Sequence, residues 1–162
     1  MALLDEQLVE EWLNSNNFFT IRGIKLGNDE IDLLAYRNIN GKDEHWHIEA
    51  QISYRPIGYV GGNGSAKKRT PQEIKQGVKE WVEKKYTSDK KVQKRKSIAP
   101  QADWKFYFVY GELKDATELD YIKQLGIQPI AYKQILEELM ANTAHKSSSA
   151  ANNITEILKF IK

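Results

Sequence analysis

The stretch His45-Trp46-His47-Ile48-Glu49-Ala50-Gln51-Ile52 decides how this chain is read. Successive side chains of a strand point to opposite faces. Trp46, Ile48, Ala50 and Ile52 therefore share one face, and His45, His47, Glu49 and Gln51 the other. Just upstream, Glu30-Ile31-Asp32-Leu33-Leu34-Ala35-Tyr36 alternates in the same way and sets Glu30 and Asp32 on one face. Between the two runs, Asn38-Ile39-Asn40-Gly41-Lys42 carries the Asn-Gly signal of a tight hairpin. Two neighbouring strands thus offer carboxylates to one side, a donor set that suits a hard cation such as Mg²⁺.

Working outward, Leu4, Leu8, Val9, Trp12 and Leu13 form an apolar stripe at helical spacing over residues 3–15. Phe18 to Ile24 reads as a strand, and Gly27-Asn28-Asp29 as the turn into the Glu30–Arg37 strand. Pro56 to Thr70 is a glycine-rich loop, better suited to a mobile flap than to a phosphate-binding P-loop, whose spacing it lacks. Thr70 and Pro71 open a helix to about residue 86, with Glu73 completing a capping box. Ser88 to Pro100 reads as a basic loop, and Trp104–Tyr110 as a central strand apolar on both faces. A helix near 116–125, a strand at Gln128–Tyr132 and a helix from Lys133 to about Ala141 follow. The expected order is α-β-β-β-α-β-α-β-α-α, a mixed sheet flanked by helices. Residues 1–142 form the core domain, 143–153 a serine-rich linker, and 154–162 a terminal helix with Ile154, Ile157, Leu158 and Ile161 on one face.

Composition narrows the chemistry. The chain has no cysteine, which excludes thiolate nucleophiles, disulfides and cysteine-ligated zinc. No apolar run is long enough to cross a bilayer and the N-terminus lacks a signal-peptide pattern, so a cytoplasmic protein is expected. The net charge of +2 hides an asymmetry: residues 66–96 hold twelve Lys/Arg against four acids, while residues 1–50 hold ten acids against four bases. A polycationic segment beside an acidic centre suggests a grip on a phosphate backbone.

Asp32, followed one hairpin later by Glu49-Ala50-Gln51, resembles the active-site core of the PD-(D/E)xK nuclease superfamily. Glu6, Val9, Leu13 and Phe18 match the first helix and strand of its Holliday-junction-resolvase-like branch, and the likeness extends over roughly residues 5–132. The resemblance implies a restriction-endonuclease-like α/β fold and Mg²⁺-dependent hydrolysis of nucleic acid, DNA foremost, with Mn²⁺ able to substitute. It implies metal ligation by Asp32, Glu49 and the Ala50 carbonyl, with Glu6 a helper through water and Glu30 behind Asp32. Gln51 occupies the position where the family more often has Lys. It can place a water but brings no positive charge, and a lysine of the next helix, Lys75 or Lys79, is a candidate substitute if it reaches the site. Lys67, Lys68, Arg69, Lys75 and Lys79 are the expected nucleic-acid contacts, and Tyr54 and Arg55 stand where phosphate contacts would fall. His47 is expected to be a hydrogen-bonded structural residue rather than a base or ligand. Two other functions stay open: a nucleic-acid-binding module with the nuclease fold but no turnover, for which Gln51 speaks, and an assembly protein, as a homodimer, docking through its terminal helix.

Overall fold

The computed structural model describes residues 2–56, 58–62, 66–142 and 157–160. Its centre is a five-stranded mixed sheet in the order β1-β2-β3-β4-β5, formed by Phe19–Leu26, Asp29–Ile39, Lys42–Gln51, Trp104–Tyr110 and Ile127–Ala131. The first three strands are an antiparallel meander; β4 and β5 join it in parallel. The hairpins obey their turn chemistry. Asn40 and Gly41 both take positive φ, and their two-residue turn pairs Ile39 with Lys42. That turn fixes the register at which Leu33 faces Ile48, which carries Asp32 to the position opposite Glu49.

Helices cover both faces of the sheet. On one side α1 (Ala2–Ser15) and α5 (Tyr132–Ala141) pack Val9, Leu13, Ile135 and Leu139 against Leu33, Ile48 and Val109. On the other, α2 (Pro71–Val82) and α4 (Thr117–Gln124) pack Ile74, Val78, Val82 and Ile122 against Phe108 and Ile127. Each such side chain contributes about 1.5–3 kcal/mol when fully buried. The Thr70 capping box forms as its sequence requires, with Pro71 opening α2.

Three expectations need correction. The helix expected to run to residue 86 changes pitch after Val82 into a π-helical turn, Glu83–Thr87. Ser88 to Pro100 is not a loop: Asp89–Ile98 is a helix, α3, whose buried residues are Lys91 and Arg95. It hid because its inner face is basic, so no apolar stripe marks it. The flap reading of the glycine-rich segment also fails for residues 58–62. Tyr59 and Val60 are buried in the α2–α4 core, and the Val60 N–H donates to Glu118 Oε1 at 2.7 Å. Burial pushes the Glu118 carboxyl up to about 7. Arg69 donates to the Gly61 carbonyl at 3.0 Å, and Gly61 lies flat on the backbone of α2 at Gly77. The linker at 143–153, together with Ile154 and Ile161, lies outside the described residues. Residues 157–160 are helical, with Ile157 and Phe160 exposed.

A Cβ on Gly61 would stand 2.2 Å from the Gly77 carbonyl group, a contact that backbone on both sides cannot relieve. Gly61→Ala should therefore destabilise the fold by about 2 kcal/mol. A thermal melt should show a midpoint about 5 °C lower; an unchanged midpoint would mean that the loop is not clamped.

Candidate active site

The site forms where β2 and β3 part. The last regular pair is Leu33 with Ile48, and beyond it the Ala50 N–H turns to the Asp32 carboxylate, donating to Oδ2 at 2.8 Å. Asp32 and Glu49 are both buried, Glu49 to 1% exposure, on the α2–α3 face of the sheet. Glu49 is held by three partners. Its Oε1 receives Lys91 Nζ at 3.1 Å and His47 Nε2 at 2.8 Å, and its Oε2 receives Lys85 Nζ at 2.9 Å.

The hydrogen bonds fix the tautomer of His47. Arg95 lies 2.8 Å from Nδ1, and a guanidinium can only donate, so Nδ1 accepts. The proton is then on Nε2, which donates to Glu49. Burial, then the charges of Arg95 and Lys91, hold the imidazole well below its usual pKa. Both ring nitrogens are engaged, so His47 is the structural histidine the sequence suggests and has no nitrogen left for a metal or a substrate proton. Arg95 also donates to the Tyr86 carbonyl at 2.7 Å, which ties α3 to the π-helical turn.

The two lysines differ. Lys91 is fully buried and bridges Glu49 to Asp29, the first residue of β2, at 3.6 Å. Lys85 comes from the π-helical turn, and its side chain stays 29% exposed, so it is the cation that a ligand can reach. Burial pulls its pKa down, but Glu49 and Asp32 outweigh that and hold it above the usual value. Neither Lys75 nor Lys79 comes to this point. They line a separate surface cleft between α2 and α4 with Gln72, Gln76 and Tyr121. The candidate role of either as substitute for the missing strand lysine is corrected: the lysines at Glu49 are Lys85 and Lys91.

Glu6 and Gln51 meet on an open cleft of about 440 Å³ that also receives Asp5, Ala50 and Tyr54. Tyr54 donates to Asp5 at 3.2 Å, while Arg55 is exposed beside it. The acids feel one another. Asp32 is pushed up to about 6, first by burial and then by the charge of Glu49. Glu6 is raised by burial and by Asp32 and Glu49, against Arg22. Among the described residues no three His, Asp or Glu side chains stand together as a ready metal cluster. The donor set nevertheless fits a hard divalent ion. It consists of carboxylate oxygens that crowd one another, Asp32 Oδ1 and a second lone pair on Glu49 Oε2, beside the one that receives Lys85, being open to a cation. Glu30 turns away to pair with Lys25. Lys67 and Lys68 are exposed ahead of α2, and the Arg69 guanidinium is committed to Gly61.

No family model matches the sequence, and no curated protein matches it. Among solved structures, the chain is similar to the crystal structure of a protein of unknown function, AF1548. The two are 16% identical with a TM-score of 0.47, over 83% of this chain and 66% of that one. At that level the likeness carries no argument. The architecture in hand is an α/β domain with a mixed sheet between helices, and no described helix is long and apolar enough to cross a membrane.

The raised Asp32 carboxyl has a definite sign. Between the usual aspartate value and about 6 the folded chain keeps a proton that the unfolded chain gives up, so stability falls as pH rises through that window. Asp32→Asn removes this loss. In urea unfolding with EDTA, the variant should gain on wild type by roughly 1–3 kcal/mol between pH 4 and pH 7. An equal difference at both pH values would show that Asp32 ionises normally.

Proposed function

We propose that the chain is a metal-dependent phosphodiesterase that hydrolyses nucleic acid, DNA foremost, on a restriction-endonuclease-like core. One observation carries the reading: two buried carboxylates from adjacent strands, Asp32 and Glu49, meet where the strands separate, with the reachable ammonium of Lys85 set on Glu49 at 2.9 Å. A divalent ion held there by Asp32, Glu49 and the Ala50 carbonyl would supply charge neutralisation and an acidified water.

The remaining work belongs to side chains. Lys85 brings its charge to the side of Glu49 that a phosphate can approach, and offsets the charge that grows on a phosphoryl oxygen. Gln51, exposed on the cleft with Glu6, can accept from and donate to an attacking water. Lys91, His47 and Arg95 hold the Glu49 carboxylate in one orientation, so its position is set before substrate arrives. The cation missing at Gln51 is thus supplied from the following helical segment. That placement favours turnover over a binding module without it.

The test is plasmid nicking in Mg²⁺. Wild type should nick and EDTA should stop it. Lys85→Met should cut the rate about a hundredfold or more. Asp32→Ala and Glu49→Gln should abolish it. Nicking that survives in Asp32→Ala and Lys85→Met would refute the assignment.

A further inference from the structure

The face of the sheet beside α3 carries a feature that phosphodiester hydrolysis alone does not use. Phe19 pairs with Tyr36, Tyr36 with His45, and His45 with Trp104 in the strand register. One ring from each of four adjacent strands therefore stands on a single rung, on one face of the sheet. Tyr36 and His45 have ring centroids 5.0 Å apart, and His45 and Trp104 5.3 Å. Among the described residues no helix closes over this row. It floors a groove of about 330 Å³ with Ile21 and Ile98, and Phe19 is left 77% exposed and Tyr36 38%. What sets this patch apart from single exposed apolar residues is that its rings stand side by side across adjacent strands, an array that suits a ligand with flat faces.

A second cavity lies against the same helix, α3. It measures about 500 Å³ and lies between that helix and the end of β1, lined by Leu26, Gly27, Lys90, Gln93, Lys94 and Ser97. Positions 90, 93, 94 and 97 recur at helical spacing, so they form one outward stripe, with Lys90 and Lys94 a turn apart. The same helix sends Lys91 inward to Glu49. Its ten residues run from the carboxylate site to Ile98 in the aromatic groove, a distance of about 15 Å. That length matches roughly four stacked nucleotides.

We propose that the channel between α3 and β1 binds single-stranded nucleic acid, its phosphates on Lys90 and Lys94 and its bases stacked on the Phe19-Tyr36-His45-Trp104 rung. The choice of ligand rests on the nuclease reading above. Within it, the channel selects unpaired strands, because the faces of bases in a duplex are already covered by their neighbours and cannot lie on protein rings. Substrates would then be single strands, or the unpaired arms of branched or frayed duplexes.

The test is fluorescence anisotropy of a short labelled strand, DNA or RNA, in EDTA, where no hydrolysis occurs. Wild type should bind the single strand about tenfold or more tighter than the matching blunt duplex. Lys90→Glu/Lys94→Glu should weaken binding about tenfold or more and flatten the dependence of log K on log salt by about 1.4. Phe19→Ala/Tyr36→Ala should weaken it about tenfold with the salt slope unchanged. These side chains are surface residues, and circular dichroism confirms that the variants fold. Equal affinity for duplex, or variants that bind as wild type does, would overturn the proposal. So would a Phe19→Ala/Tyr36→Ala variant that changes only the oligomeric state in sedimentation, since the groove would then join two copies of the chain. Hydrolysis of bis(4-nitrophenyl) phosphate, too small to need the channel, reports on the nuclease reading separately.

Discussion

A carboxylate buried to 1% exposure in the middle of a sheet has to be compensated by cations, and the structure around Glu49 is organised by that requirement. An isolated buried charge is far too costly to persist in a fold. Here Lys85 and Lys91 supply charge from two helical segments, and His47 adds a donor whose orientation Arg95 fixes. Three side chains bond this one carboxylate, and a fourth, Arg95, acts on it through His47. The consequence is architectural: α3 needs no apolar stripe because its inner face docks through Lys91 and Arg95. The π-helical turn places Lys85 over Glu49 and Tyr86 in the core, where its hydroxyl donates to the Tyr107 carbonyl at 2.8 Å.

Such an arrangement is an expensive way to hold a sheet together. Replacing a buried charged cluster by apolar side chains of similar volume is often neutral or stabilising. Asp32 shows the strain most clearly, since burial and Glu49 together make its ionisation unfavourable at a point where the strands have already begun to part. A purely structural role gives no reason for carboxylates on both strands. Oxygen donors that crowd one another, with a reachable ammonium beside them, are what the proposed phosphoryl chemistry would require.

Local rules made much of this visible in the sequence. Period-two alternation gave β2 and β3, the Asn40-Gly41 turn gave their register, and the Thr70-Pro71-Glu73 pattern gave the start of α2. Asp32 and Glu49 could be paired because a tight hairpin joins them. The cationic half of the site was hidden for a physical reason. Lys85 and Lys91 are drawn in by the distant Glu49 and Arg95 by the His47 ring, and hydrophobic periodicity cannot register a face made of lysine and arginine. The one available cue was the spacing of Lys91 and Arg95, four apart and therefore on one side of any helix through them. The clamp on residues 58–62 was hidden likewise, since a glycine chosen for close packing on Gly77 looks like one chosen for flexibility.

The proposed seat for a divalent ion is formed by Asp32 and Glu49 beside Lys85. Its most direct test is a titration of the purified chain with Mn²⁺, followed by electron paramagnetic resonance at pH 7.5. The account predicts saturable binding with sub-millimolar affinity, displaced by Mg²⁺ and lost in Glu49→Gln while the variant remains folded. A wild-type chain that leaves Mn²⁺ free in solution throughout the titration would contradict it.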